Sequence, residues 1–253
     1  MKKVYKPQSY EQALLDKPST FKGWDFSRIE SSGRMREFPL RWNYYSRVKE
    51  LWEQGDTVLD MGTGGGESLS LFHPFPGQVC ATEGYEPNVN VAKDKLEPMG
   101  VQVSYFTEDE CLPYQDEWFE LVMNKHESYD VSEVARILRP DGIFVTQQVG
   151  GLNDQEINAR FDVPFEYAYL NAEYAVQQLS SHFDIRFQDE EVTKTRFYDL
   201  GALIYYLEAI PWQIPDFSIQ KYDKQLREIY DIIVNQGYFD CSCHRFIIAA
   251  MKK

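Results

Sequence analysis

The chain has 253 residues, 43% of them hydrophobic and 26% charged, with a formal net charge of -14. Such a chain can bury a full core and is not disordered, while its acidic balance speaks against binding nucleic acid or anionic membranes. No apolar run approaches the roughly 20 residues that span a bilayer.

The amino terminus is basic, but no apolar run follows it, so no signal peptide is expected. Cys80, Cys111, Cys241 and Cys243 show no disulfide spacing, which suits a reducing cytoplasm. Residues 1–40 are polar and aromatic. An apolar stripe of Trp42, Tyr45, Val48, Leu51 and Trp52 predicts a helix from Leu40 to about Glu53.

An alternation follows. Strands are expected at Thr57–Met61, Gln78–Glu83, Val101–Phe106, Trp118–Met123 and Ile143–Val149. Helices are expected between them at Glu67–Phe72, Pro87–Met99 and Val131–Leu138, with Gly100 ending the second. This order predicts an α/β fold with a doubly wound, mostly parallel sheet. Beyond it, helices are expected at Ala172–Ser181, Leu200–Ala209 and Gln220–Gln236, and strands at Phe183–Val192 and His244–Ala250.

The strongest signal is Val58-Leu59-Asp60-Met61-Gly62-Thr63-Gly64-Gly65-Gly66-Glu67. A buried strand would deliver Gly62, Gly64 and Gly66 to the carboxyl edge of the sheet, where the backbone turns tightly against a ligand. Glu83, about 20 residues on, stands where a carboxylate accepts ribose hydroxyls. An adenosine-type cofactor is implied. A dinucleotide loop would need a glycine where Glu67 stands, and no phosphate-loop lysine motif exists, so a cofactor without phosphate fits better.

Asp60-x-Gly62-x-Gly64-x-Gly66 followed by Glu83 resembles the first two motifs of the class I S-adenosylmethionine (SAM)-dependent methyltransferases. Glu108-Asp109-Glu110-Cys111-Leu112-Pro113-Tyr114 is similar to the family's adenine segment, with Glu108 in place of the usual aspartate. Trp118-Phe119-Glu120-Leu121-Val122 resembles its fourth strand. Leu138-Arg139-Pro140-Asp141-Gly142 resembles the turn before the fifth, with Asp141 replacing a glycine. The likeness covers about residues 55–150 and resembles the small-molecule branch that includes the quinone-biosynthesis enzymes. Asn124-Lys125-His126-Glu127 is not N-P-P-Y, which speaks against the branch that methylates adenine or glutamine nitrogens.

The resemblance implies a Rossmann-like sheet of seven strands whose last is antiparallel. It implies one domain, with residues 1–54 as an amino-terminal helical or lid segment, 55–150 as the SAM-binding core and 151–253 as the substrate side. SAM would be held by Asp60, Gly62, Thr63, Gly64 and Gly66 at its methionine end and by Glu83 at the ribose. Glu108 and Asp109 would take the adenine, with Asn124 also at the cofactor. The expected acceptor is a small molecule; RNA or protein methylation, non-catalytic SAM or S-adenosylhomocysteine binding, and a nicotinamide oxidoreductase are the rivals.

Methyl transfer is an in-line displacement, and a base matters only when the acceptor must lose a proton. His126 and Glu127, just past the fourth strand, are the candidates for that base; a pocket-lining or helix-capping role competes. Gln147 or Gln148 would orient substrate. Arg34, Arg36 and Arg196 could meet an anionic substrate, or be solvated surface. The aromatic amino terminus (Tyr10, Phe21, Trp24, Phe26, Trp42, Tyr44, Tyr45) could form a lid or pack in the core. Cys241-x-Cys243-His244 lacks a second ligand pair and is not read as a metal site.

Overall fold

A computed structural model describes residues 8–15, 26–53, 56–107 and 111–253. Eight strands form one sheet: β1 (Met35–Glu37), β2 (Val58–Met61), β3 (Val79–Glu83), β4 (Gln102–Tyr105), β5 (Phe119–Lys125), β6 (Leu138–Val149), β7 (Phe183–Phe197) and β8 (Phe239–Lys252). Their order is β1-β7-β8-β6-β5-β2-β3-β4. The helices are α1 (Tyr10–Leu15), α2 (Ser27–Glu30), α3 (Tyr44–Leu51), α4 (Glu67–Ser70) and α5 (Glu86–Leu96). They continue with α6 (Val131–Ile137), α7 (Gln155–Phe161), α8 (Ala172–Leu179), α9 (Leu200–Ala209) and α10 (Asp223–Gln236).

β2 pairs in parallel with β3 and β5, β3 with β4, and β5 with β6. β2 and β3 are buried at every residue, as continuous apolar runs covered on both faces should be. The last strand is antiparallel to its neighbours, as the resemblance implies. The count is eight because the three-residue β1 adds an antiparallel edge to β7, a strand too short to leave a pattern in the sequence.

Several boundaries move for local reasons. Asn43 caps α3 by accepting from the Ser46 amide at 2.9 Å, so that helix begins at Tyr44 rather than Leu40. β6 starts at Leu138, where it pairs with Phe119; the register then shifts, and regular pairing resumes at Leu121 with Ile143. Asp141 in the intervening turn sits at φ +62°, a left-handed conformation that aspartate tolerates better than most side chains.

The larger departure is the β7–β8 hairpin. β8 pairs with β6 only from Arg245 to Met251, so its first six residues, with the facing end of β7, extend past the carboxyl edge of β6. The free edge of this extension is covered by the chain leaving β6. Gly150 and Asp154 amides donate to the His244 and Ser242 carbonyls at 3.0 and 2.9 Å. The Glu156 carboxylate accepts the Ser242 amide at 2.7 Å. One face of the extension carries its own core, in which Phe197, Phe239 and Cys241 meet Ile29, Phe161, Leu203 and Ile229 from the surrounding helices. Two further cores flank the parallel strands, one under α3 and α5 and one under α6 and α8.

Candidate functional site

β2 runs straight into the glycine loop, and Gly62, Gly64 and Gly66 take φ values of +67°, +64° and +80°. A side chain at Gly62 would be strained by that backbone and would also meet Glu127, whose Cγ lies 2.5 Å from where a Cβ would stand. At Gly66 a Cβ would meet the Leu96 side chain at 2.7 Å, so that glycine lets α5 approach the loop. The loop is tied to β3 by the Thr63 amide, which donates to the Thr82 carbonyl at 2.9 Å.

Glu83 ends β3 with its carboxylate against the loop. Oε2 accepts the Gly64 amide at 2.6 Å and Oε1 the Tyr85 amide at 2.7 Å. Burial raises this carboxyl above its ordinary range, and the amides of Tyr85, Gly64 and Gly84 pull it back. With three amides bound, the carboxylate keeps a lone pair for a ribose hydroxyl. Asp60 is buried and pushed up to about 7, mainly by burial and further by Glu83, against the pull of Thr63 and the Lys125 ammonium.

A cleft of about 10 Å³ beside the loop is lined by Met61, Gly62, Thr82, Gly84, Phe106, Leu112 and Glu127. That is room for a single water at most. Glu127 is one of the side chains that narrow it, and the loop's left-handed glycines with the Glu83 carboxylate beside them fit a nucleoside cofactor. Glu108 and Asp109 lie outside the described residues. The segment just after them is firmly held: Arg136 donates to the carbonyls of Leu112 and Tyr114 at 3.0 and 2.7 Å and to Glu133 and Asp116. Glu133 in turn accepts the Leu112 amide at 2.8 Å. No sequence motif pointed to this clamp.

At the end of β5, Asn124 is fully buried. Its Oδ1 accepts from Thr146 Oγ1 at 3.0 Å and from Gln148 Nε2 at 2.7 Å, so its side chain joins the strand ends. Lys125 donates to the Tyr45 hydroxyl at 3.1 Å and lies over that ring. Tyr44 donates to the Asn124 carbonyl at 3.1 Å. Of the aromatic amino terminus, Tyr10, Trp42 and Tyr44 are buried, Phe26 and Tyr45 pack partly buried, and Phe21 and Trp24 lie outside the described residues.

His126 holds φ +63°, a strained position for this side chain, and its amide donates to the Gln147 carbonyl at 2.8 Å. The residue is exposed to solvent. The surrounding protein, then Arg245 and Lys125, hold its pKa well below the ordinary value, so it is neutral near pH 7. Its proton can be located. Trp42 Nε1, a donor only, gives to Gln147 Oε1 at 2.9 Å, which leaves Gln147 Nε2 to donate to His126 Nε2 at 3.2 Å. The ring therefore accepts at Nε2 and carries its hydrogen on Nδ1.

Arg245 on β8 is buried. Its Nη1 donates to Asn153 Oδ1 at 2.5 Å and to the His244 carbonyl at 2.9 Å, and its Nη2 to Glu37 Oε1 at 3.1 Å. Asn153 donates to Asp154 Oδ2 at 2.7 Å, and Tyr206 from α9 donates to the same oxygen at 2.8 Å. Asp154 is buried, its Oδ1 has no hydrogen-bond partner, and burial pushes its pKa up to about 7. No sequence motif marked Arg245, Asp154 or Tyr206, because their meeting depends on the hairpin.

The other candidates lie elsewhere. Arg34 pairs bidentately with Asp199 at 2.8 and 2.7 Å, and Arg196 with Asp240 at 2.6 and 2.8 Å. Arg36 faces Arg196 across the β1–β7 pair. Cys241 and Cys243 are buried, and His244, on the opposite face of β8, meets Glu190 at 2.6 Å. A cavity of about 540 Å³ lies on the hairpin, lined by Phe38, Glu156, Val192, Lys194, Asp240 and Ser242 among others. Lys194 and Asp240 pair with each other there, and no residue of the glycine loop lines it.

Comparison with known proteins gives the same reading of the glycine loop. Residues 59–146 match a family model described as a methyltransferase domain. The chain is 29% identical over 97 residues to the uncharacterized methyltransferase YcgJ of Bacillus subtilis, covering 35% of this chain and 38% of that protein. It is 26% identical over 211 residues to a fatty-acid O-methyltransferase of Mycolicibacterium smegmatis, covering 79% of this chain and 71% of that one. Among solved structures, that of YcgJ superposes with TM-score 0.55 at 19% identity, over 82% of this chain and 97% of the other. A geranyl diphosphate C-methyltransferase from Streptomyces coelicolor, solved with S-adenosylhomocysteine, superposes with TM-score 0.52 at 15% identity, over 89% and 81%. With the loop, the acidic end of β3 and the strand order, residues 59–146 form a methyltransferase domain of the SAM-dependent type.

Proposed function

We propose that the protein transfers a methyl group from SAM to a small-molecule acceptor in the cytoplasm. The observation that carries this reading is the Glu83 carboxylate locked between the amides of the glycine loop and of Tyr85, at the carboxyl edge of the sheet. Glu83 would take the ribose, and Asp60, Gly62, Thr63, Gly64 and Gly66 would border the methionine end. Glu108 and Asp109 would reach the adenine.

SAM supplies an electrophilic methyl when bound. The protein's part is to hold donor and acceptor in line and to keep water out. Glu127, packed on Gly62, would border the cofactor, while Asn124 would steady the strand ends around it. His126, neutral and engaged at Nε2, is better suited to holding an acceptor than to removing its proton. The net charge of -14 favours a small molecule over RNA.

The test is incubation with SAM labelled in its methyl group, together with a small-molecule extract, total RNA and whole-cell protein in separate tubes. Label entering the small-molecule fraction is the expected result. Label only in RNA or protein would assign the rival substrates, and SAM binding without transfer to any of the three would make the chain a cofactor-binding protein.

A further inference from the structure

Among the described residues that line the cleft beside the glycine loop, Glu127 alone carries a charge. Its main chain is fixed. The Glu127 carbonyl accepts from Gln148 Nε2 at 2.8 Å, and the same amide holds Asn124 Oδ1 at 2.7 Å and Thr146 Oγ1 at 2.8 Å. Its side chain lies along the main chain of Gly62, with Oε2 2.6 Å from where a Cβ on that glycine would stand. A single carboxylate in an otherwise uncharged cleft favours a cation there. Thr82 and Gly84, the neighbours of Glu83 in the chain, line the same cleft. With the ribose of SAM on Glu83, the sulfur comes next, joined to the ribose through a single carbon. The amino and carboxylate groups hang at the far end of the methionine chain.

We propose that the Glu127 carboxylate stands beside the cofactor's sulfonium, so that the protein holds the charged methyl donor in preference to the product, whose sulfur is neutral. The inference rests on the assignment of the glycine loop and Glu83 to SAM made above. When the methyl carbon bonds to the acceptor, the carbon–sulfur bond breaks, sulfur keeps the electron pair and its positive charge is lost. The attraction to Glu127 fades along the same path. It is weaker in the transition state than in the bound cofactor, so it does not speed the displacement. Its effect is to sort loaded from spent cofactor: SAM is retained, and S-adenosylhomocysteine is let go. Glu127 moves no proton in this role, which differs from the base that its position after β5 predicts.

The test is calorimetric titration of SAM and of S-adenosylhomocysteine into the wild type, Glu127→Gln and Glu127→Asp, without any acceptor. The ratio of the two dissociation constants is read within each variant, so a general loosening of the fold cancels. Glu127→Gln keeps the shape of the side chain and removes its charge. Its dissociation constant for SAM is expected to rise about 10-fold, and that for S-adenosylhomocysteine to change by less than about 2-fold. Glu127→Asp keeps the charge and is expected to keep most of the wild-type ratio. Equal weakening of both ligands in Glu127→Gln would put the carboxylate beside a group that both share, such as the amino group, and overturns the proposal. Unchanged affinities overturn it too. A ratio in Glu127→Asp that falls as far as in Glu127→Gln makes packing the cause and overturns it as well. A wild type that binds neither ligand sinks the SAM site together with this inference. A wild type that binds both, with the ratio unmoved in the variants, leaves the SAM site standing and removes only the role of Glu127.

Discussion

The two halves of the carboxyl edge are built differently. On the β2–β3 side the functional groups come from one short stretch, a strand, a glycine loop and the end of the next strand, and the loop's main chain is held by Glu83. On the β5–β6–β8 side they come from distant parts of the chain. Trp42, His126, Gln147, Asp154, Tyr206 and Arg245 meet there because the hairpin rises beyond the sheet and carries helices with it. On the proposed function, a cofactor shared by a family would fix the first side locally, while the second would be free to differ with the acceptor. Damage to the first should therefore remove cofactor binding, and damage to the second should spare it.

The largest effect is expected from Gly62→Val. A β-branched residue is strained at φ +67°, at a cost of about 1–3 kcal/mol, and it meets Glu127 as well. SAM-induced stabilisation in a thermal melt should vanish while the protein still unfolds cooperatively. Next comes Glu83→Ala, which leaves two amides unpaired. At about 1.5–3 kcal/mol per charged hydrogen bond, SAM affinity by calorimetry should fall about 10- to 150-fold. An unchanged affinity would refute the assignment of Glu83 to the ribose.

A smaller effect concerns pH. The Asp60 carboxyl has its folded-state pKa raised to about 7, so the folded protein holds that proton more tightly than the unfolded chain. Its contribution to stability is greatest below the ordinary carboxylate range and is lost as pH rises toward 7. Asp60→Asn should therefore gain on the wild type in melting temperature between pH 5 and pH 8. A constant difference would show that Asp60 ionises normally. The smallest effect is Tyr206→Phe on the acceptor side. Loss of its bond to Asp154 should cost about 1 kcal/mol, some 2–4 °C in melting temperature, with SAM affinity unaltered. A drop in SAM affinity would mean that the two halves are coupled.

The same division explains what could be read from the sequence. The loop, Glu83 and the alternating strands depend on local pattern, and they stand where the residues predict. The turn at Leu138–Gly142 was also readable, although its register shift was not. β1 is three residues long, and the extension of β7 and β8 past Val192 and before His244 is stabilised by pairing between residues 42 to 50 positions apart, from Phe197 with Phe239 to Thr193 with Cys243. Charged residues such as Asp189, Glu190, Glu191 and Lys194 break the apolar pattern of β7, because one side of the hairpin faces solvent. His126 and Arg245 show the limit most clearly. The first was visible as a histidine beyond a strand, but its tautomer depends on Trp42, 84 positions earlier by their numbers.

The most direct test of the cofactor site is a thermal melt with SAM, S-adenosylhomocysteine and NAD in parallel, each near saturation. A ligand at about 100 times its dissociation constant adds about 2.7 kcal/mol, which for a chain of this size is a shift of about 5–10 °C. A shift with both adenosyl compounds and none with NAD is the predicted result. No shift with either, or a shift with NAD alone, would contradict the assignment of the glycine loop and Glu83 to SAM.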